Sequence, residues 1–116
     1  MFKNVAKVTI GSGTAESGVI DMRDVVGDAG MVGVPSTWTA AAIGFKVCDT
    51  ADGTFVPLRD EAGSVVQISG VQAAAAAFYK LPDALRGALF MKLWSQSGGV
   101  DANQAADRAM TIMAKG

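Results

Sequence analysis

The chain has 116 residues, half of them hydrophobic, which suffices for a single domain, residues 1–116, with one core. Ten basic and eleven acidic residues give a net charge of -1, which argues against nucleic acid as a main ligand. Histidine is absent, which removes the commonest general base and metal ligand, so we expect a protein that is not an enzyme.

The balance of polar and apolar residues predicts contacts with other subunits. Only 18% of the residues are charged, and the mean hydropathy is +0.30. This is little polar cover for a small domain, so we expect part of the apolar surface to meet another subunit, most simply in a homo-oligomer. No apolar run approaches the ~20 residues that a membrane span needs, so we expect no membrane partner.

The first third of the chain contains three predicted strands. Alternation predicts one strand from Lys3 to Ile10, ended by the glycines that follow it. A short strand is predicted at 18–22 and another at 30–34, the latter ended by Pro35. The segment 23–29 between them reads as turn-rich.

The middle of the chain predicts three more strands joined by tight turns. Alternation marks a half-buried strand at 43–48, and Asp52-Gly53 supplies the hairpin turn that follows. Strands are predicted at 54–59, where Pro57 implies an edge or a bulge, and at 64–69. Such closely spaced strands are typical of a meander or a sandwich.

The segment 71–81 is ambiguous, because five consecutive alanines favour a helix on propensity alone. Pro82 forces extended backbone on the residue before it, so we favour an extended passage. Residues 82–87 read as one helical turn, with Pro at the start and Gly87 past the end.

The last third predicts two strands around a polar loop at 101–107. Leu89, Met91 and Leu93 fall on one face of a strand at 88–97, and Phe90, Lys92 and Trp94 fall on the other. The final strand is predicted at 108–115. The pattern as a whole predicts an all-β protein, a β-sandwich or jelly-roll of about eight antiparallel strands with one short helical turn near 82–87.

Four carboxylates fall in two neighbouring hairpin turns, at Asp49, Asp52, Asp60 and Glu61. They could form a calcium site or an acid/base pair, or they could cap their own turns. Their spacing matches no calcium loop, so we favour turn chemistry and expect no metal and no cofactor. Cys48 lies in an alternating apolar segment and is interpreted as a buried small hydrophobe.

The aromatic residues could form a stacking platform for sugar or could fill the core. We expect core positions for most of them. Trp38 follows Pro35 in a polar turn that is poorly placed for the core, so it is the leading candidate for an interface anchor, with Pro35 and Trp94 as further candidates. Met91, Met110 and Met113 could similarly line an adaptable surface, although core filling is the favoured interpretation.

Short motifs along most of the chain resemble small structural proteins encoded in the head and tail gene clusters of tailed bacteriophages. They are Ser17-Gly18-Val19-Ile20-Asp21, Val32-Gly33-Val34-Pro35, Trp38-Thr39-Ala40-Ala41, Ile43-Gly44-Phe45, Asp52-Gly53-Thr54-Phe55, Leu58, Asp60, Gly63 and Asn103-Gln104-Ala105-Ala106-Asp107-Arg108. The resemblance implies an all-β sandwich or jelly-roll subunit of the virion, with no catalytic residues. The alanine run departs from it, because an ordinary strand sequence is expected there.

The resemblance and the composition together predict a structural virion protein, made in the host cytoplasm and located in the virion. The favoured role is a capsid decoration or cement subunit that binds the major capsid protein or other virion proteins. The alternative is a carbohydrate-binding module of a phage fibre or adsorption protein, using Trp38 and the hairpin carboxylates. An enzyme is the weakest of the three hypotheses.

Overall fold

The computed structural model describes residues 3–23 and 30–115, and within them the chain is almost entirely β-strand. A 3-10 helix at Asp83–Gly87 is the one helical element of this part of the chain. The strands in chain order are β1 Lys3–Ile10, β2 Ile20–Asp21, β3 Gly30–Val34, β4 Ala42–Cys48, β5 Val56–Pro57, β6 Gln67–Ile68, β7 Ala77–Lys80, β8 Phe90–Ser97, β9 Val100–Asp101 and β10 Arg108–Lys115.

The strands form two antiparallel sheets. The four-stranded sheet has the order β1-β10-β3-β7, and the six-stranded sheet has the order β2-β8-β4-β5. In the six-stranded sheet β6 also pairs with β4, and β9 also pairs with β8. This architecture confirms the predicted all-β sandwich.

One hydrophobic core fills the space between the sheets, because alternate residues of each strand point inward. The four-stranded sheet contributes Val32, Met110 and Ile112, and the six-stranded sheet contributes Phe45 and Leu93 among others. Phe45 is fully buried, as its position beside the hairpin predicted. Within the described residues no helix is long and apolar enough to cross a membrane.

The long strands lie where alternation predicted them. β1, β3 and β10 have the predicted bounds, and β4 and β8 differ from their predictions only at one end. The strands predicted at 18–22, 54–59 and 64–69 shorten to two residues each, because only those residues form a ladder with β8 or β4. Arg59 and Val65 form an isolated bridge to each other. Of the turn-rich segment predicted at 23–29, residues 24–29 lie outside the described residues.

The alanine-rich segment is extended, as predicted, despite its helix propensity. β7 pairs with β3 in register, Ala77 opposite Val34 and Lys80 opposite Met31, so sheet hydrogen bonds replace those of a helix. Ala74, in the turn before β7, has a positive φ of 55°. The 3-10 helix after Pro82 confirms the predicted helical turn and buries Leu85.

Trp38 is buried, and the prediction that it is poorly placed for the core is wrong. Its side chain is 2% exposed, and its Nε1 donates to the carbonyl of Ala41 at 3.2 Å. The physical reason is topological: the 35–41 loop carries the chain from β3 in one sheet to β4 in the other. A loop that crosses between sheets passes over the end of the core, where a large side chain can close it.

A buried polar cluster fixes this crossing loop to the loop before β10. Arg108 donates from Nε to Gln104 Oε1 at 3.1 Å and from Nη2 to Thr39 Oγ1 at 3.0 Å. Gln104 also accepts from the Thr39 amide and donates to Ser95 Oγ at 2.9 Å. The cluster therefore satisfies its own polar groups, which a buried network requires if it is to stabilise the fold.

Candidate interaction surface

The outer face of the four-stranded sheet carries two rows of side chains that cross all four strands. Strand register gives one row through Val5, Met113, Met31 and Lys80, and a second through Lys7, Thr111, Gly33 and Phe78. These residues alternate with the core residues of the same strands, so they point away from the core. We call this set the outer apolar face.

Large hydrophobic side chains on this face are open to solvent. Val5 is 60% exposed, Met31 is 49% exposed and Phe78 is 55% exposed, while Met113 between them is half-buried. Single exposed hydrophobic residues are ordinary, but a contiguous set across adjacent strands marks an interaction surface. Met31 and Met113 are directly opposite each other on neighbouring strands, and such flexible side chains adapt to a partner.

Phe78 lies flat on the sheet because Gly33 beneath it has no side chain. A Cβ placed on Gly33 would be 2.7 Å from Cε2 of the Phe78 ring, so no larger residue fits there without moving the ring. Beside the ring is a shallow groove of about 250 Å³, lined in part by Pro35, Ala109 and Thr111. The interface candidate Pro35, which is half-buried, therefore borders the outer apolar face.

The rim of this face is charged and internally paired. Lys80, at the end of the first row, donates to Asp83 Oδ1 at 2.8 Å. The hydrogen bond from the Lys80 ammonium lowers the pKa of Asp83 below its usual value. An apolar centre with a polar rim is the usual anatomy of a protein interface.

The outer face of the six-stranded sheet has the opposite character. Lys46 and Lys92 are directly opposite each other on β4 and β8, and Glu16 accepts from both, at 2.5 Å and 3.5 Å. The Lys46 ammonium also lies 4.8 Å from the centre of the Trp94 ring, and that of Lys92 lies 4.9 Å from the centre of the Phe55 ring. One carboxylate therefore faces two ammonium groups, and this face is charged where the outer apolar face is mostly apolar.

Trp94 points outward from β8 and yet is only 2% exposed, which corrects its assignment as an interface candidate. Its ring lies over Gly44, where a Cβ would be 2.8 Å from Cε3, and Lys46 covers it. Its Nε1 donates to Asp101 Oδ1 at 2.7 Å. The alternation of residues in β8 predicts the outward direction of the Trp94 side chain correctly, but it does not predict that Lys46 covers the ring.

Cys48 is half-buried and lies beside a second groove, of about 420 Å³, which Val56 and Leu89 also line. The prediction of a buried cysteine is wrong, because Cys48 shares the outward-facing parity of Lys46 on β4. Reactive cysteines lie beside cationic groups or helix N-termini. The contacts of the Cys48 sulphur are instead Asp49 Oδ1 and Thr50 Oγ1, each at 3.7 Å.

The hairpin carboxylates act on their own turns where the structure shows their contacts. Asp60 Oδ1 accepts from the amides of Ala62 and Ser64, each at 2.9 Å, which confirms turn chemistry at that position. Among residues 3–23 and 30–115 no cluster of three or more acidic, cysteine or histidine side chains could hold a metal ion.

Comparison with family models, with curated proteins and with solved structures finds no match. The geometry of the surface and the chemistry of its residues therefore carry the functional interpretation. Sequence reasoning missed Val5, Met31 and Phe78 as surface residues, although the two-residue period that predicted β1 assigns Val5 to the face opposite the core. Core filling, the favoured interpretation of the methionines, is confirmed for Met91 and Met110, whereas Met113 lies on the outer apolar face.

Proposed function

We propose that this chain is a structural virion protein of a tailed bacteriophage, a capsid decoration subunit that docks through its outer apolar face. The single observation that carries the proposal is the exposure of Val5, Met31 and Phe78 across adjacent strands of one sheet face. The resemblance of the sequence motifs to phage head and tail proteins supplies the kind of partner, namely the major capsid protein or another virion protein.

The size of the outer apolar face sets an upper limit on its docking energy. Four strands spaced about 4.8 Å apart and about six residues long cover roughly 400 Å², counting the polar side chains at its ends, and the largest apolar patch of an ordinary monomer, which is often functional, covers about 300–600 Å². At about 25 cal/mol per Å², burying it would contribute at most about 10 kcal/mol. Association costs of about 4–15 kcal/mol offset most of this, so one face binds weakly alone and benefits from repeated contacts on a shell.

The contrast between the two sheet faces supports the choice of surface. On the six-stranded sheet the single carboxylate of Glu16 faces the two ammonium groups of Lys46 and Lys92, so burying that face would desolvate three charged groups, one more positive than negative. On the four-stranded sheet, burial removes mostly apolar groups from water. The outer apolar face is therefore the one whose burial is favourable.

The carbohydrate-binding alternative depends on Trp38 as an exposed aromatic ring. A stacking platform needs an exposed ring, and Trp38 is buried in the core. Trp94 lies beside polar groups that could bind sugar hydroxyls, but Lys46 covers its ring. No observation on the described residues favours this alternative over protein docking.

The test compares two charge substitutions at exposed hydrophobic residues. Met31→Glu places a charge in the centre of the outer apolar face, and the matched control Val100→Glu places the same charge on β9, where the side chain is 69% exposed. Both variants are expected to melt like the wild type. Binding to empty heads of the phage that encodes the chain is measured by co-sedimentation.

We expect Met31→Glu to weaken head binding at least about tenfold, because a buried unpaired charge is costly, and Val100→Glu to leave it unchanged. Equal binding by the two variants would contradict docking through this face. A glycan array provides a second check, since a specific sugar hit that survives Met31→Glu would favour the carbohydrate-binding module.

A further inference from the structure

β1 is a long strand with one open edge. All eight residues of Lys3–Ile10 pair one-to-one with β10. On its other side Ile10 forms a bridge to Ser17, which covers that end of the edge. Between residues 3 and 9 this second side of β1 pairs with none of the described residues, so a row of backbone donors and acceptors is open there.

The other sheet edges in the described part of the chain are short. β7 has four residues, and Pro82 follows it closely. β2, β5, β6 and β9 have two residues each, and β5 contains Pro57. Natural proteins protect their sheet edges by shortening them, by placing proline there or by placing charged side chains, lysine above all, on them. β1 carries the exposed Lys7 but has neither proline nor a bulge, so it is the longest template for another strand among these edges.

We propose that two copies of this chain pair through β1, antiparallel and edge to edge, with Ala6 on the two-fold axis. The open stretch, residues 3 to 9, has Ala6 at its midpoint, so a two-fold at Ala6 pairs the whole of it. The charged residues of this stretch are Lys3 and Lys7, so the pairing needs a register in which lysines are not directly opposite each other. β-Strand addition of this kind gains its affinity from main-chain hydrogen bonds.

Side-chain charge selects this register over its neighbours. Residues directly opposite each other on antiparallel strands project from the same side of the sheet, whereas consecutive residues of one strand project from opposite sides. A two-fold axis between two residues would pair consecutive residues, so the axis must pass through a residue. A two-fold at Lys7 would place Lys7 directly opposite its own copy, and like charges in that position are destabilising. A two-fold at Ala6 places Lys7 opposite Val5, and the small Ala6 side chains face each other.

The pairing would join the two four-stranded sheets into one of eight strands, with both outer apolar faces on the same side. The combined face covers roughly 800 Å², which matches the ≈ 800 Å² that each partner contributes to an interface of standard size. The role of the combined face in docking rests on the proposed function. The existence of the dimer does not depend on that function and is tested separately.

The experiment uses disulfide trapping in the full chain, in a Cys48→Ser background that removes the native thiol. Single cysteines are introduced as Ala6→Cys, Lys7→Cys and Val8→Cys, and each variant is oxidised mildly at tens of micromolar. In the proposed register the two thiols introduced by Ala6→Cys are directly opposite at about 4.5–5.5 Å, whereas residue 7 and its copy are diagonal at about 7–8 Å. Residue 8 and its copy are about 13 Å apart.

We expect Ala6→Cys to form a covalent dimer at least about tenfold faster than the other two variants, since disulfides need close Cβ atoms. Fastest trapping of Lys7→Cys or Val8→Cys, or equal trapping of all three, would overturn the register. Sedimentation of the wild-type chain as a monomer at the same concentration would overturn the dimer.

Two charge variants separate this inference from the proposed function. Val5→Lys, at a side chain that is 60% exposed, places a lysine directly opposite Lys7 of the other copy and is expected to give a folded monomer. Met31→Glu, away from the edge, is expected to remain a dimer while losing head binding. A dimer that persists in Val5→Lys would contradict β1 pairing, and loss of head binding in Met31→Glu alone bears only on the docking face.

Discussion

Replacing Trp38 tests whether the crossing loop closes the core. Its side chain is 2% exposed and its Nε1 donates to the Ala41 carbonyl. Truncating a buried tryptophan to alanine costs about 3–5 kcal/mol. At about 0.05–0.15 kcal/mol per residue, a domain of this length has about 6–17 kcal/mol of stability in total. Trp38→Ala should therefore remove at least about a fifth, and at most nearly all, of the total free energy of unfolding.

The measurement is urea unfolding followed by circular dichroism, with a thermal melt beside it. An unfolding entropy of about 2.1 cal/mol/K per residue converts that loss to a fall in Tm of about 12–20 °C. Trp38→Phe keeps most of the packing and loses the Nε1 donor, so it should cost about 1–2 kcal/mol. Val100→Ala, at an exposed position, should stay within about 0.5 kcal/mol of the wild type. A loss below about 1 kcal/mol for Trp38→Ala would refute the core position.

Two further predictions concern local geometry and pH. Gly44→Ala should lower the free energy of unfolding in urea by about 1–3 kcal/mol, because the added Cβ displaces the Trp94 ring. Gly18→Ala, with nothing within 4 Å of the added Cβ, should be nearly neutral. Equal costs for the two variants would contradict the close contact between Gly44 and the ring. Hydrogen bonds from Arg23 lower the pKa of Asp21 from 3.8 to about 2. The stabilising contribution of Asp21 is therefore full above pH 3.8 and is lost as the pH falls toward 2. Carboxyl NMR titration should show Arg23→Gln raising that pKa, and an unchanged value would contradict the pairing.

The long strands could be predicted from sequence because one face of each is buried. In β1 the two-residue alternation holds from Val5 to Ile10, so core and solvent positions are both specified. In β3 only Met31 is exposed, and the end of that strand is set by Pro35. The two-residue strands could not be predicted to that precision. Their length depends on where a neighbouring strand ends, which is a property of the tertiary fold.

The interface residues show where local patterns mislead. A tryptophan after a proline in a polar stretch resembles a surface anchor, but the sequence does not reveal that this loop crosses from one sheet to the other. Trp94 was assigned to the outward face correctly, whereas its cover depends on Lys46 from a strand more than forty residues earlier. Pro35 does border the outer apolar face, although Met31 and Phe78 form its centre.

The alanine-rich segment shows tertiary pairing overriding propensity. Five alanines in isolation favour helix, yet Ala74 in the turn donates its amide to the Trp38 carbonyl at 3.1 Å, and Ala77 begins β7, which pairs with β3. The same pairing brings Phe78 onto Gly33 and so completes the outer apolar face.

The central claim, that the chain is a virion protein docked through its outer apolar face, is tested most directly by a cryo-electron microscopy reconstruction of the phage particle that it is proposed to decorate. We expect density for the sandwich on the outside of the head, with the strands that carry Met31 and Phe78 facing the major capsid protein. Density for the sandwich in a tail fibre, or on the head with the Glu16, Lys46 and Lys92 face against its neighbour, would contradict docking through the outer apolar face.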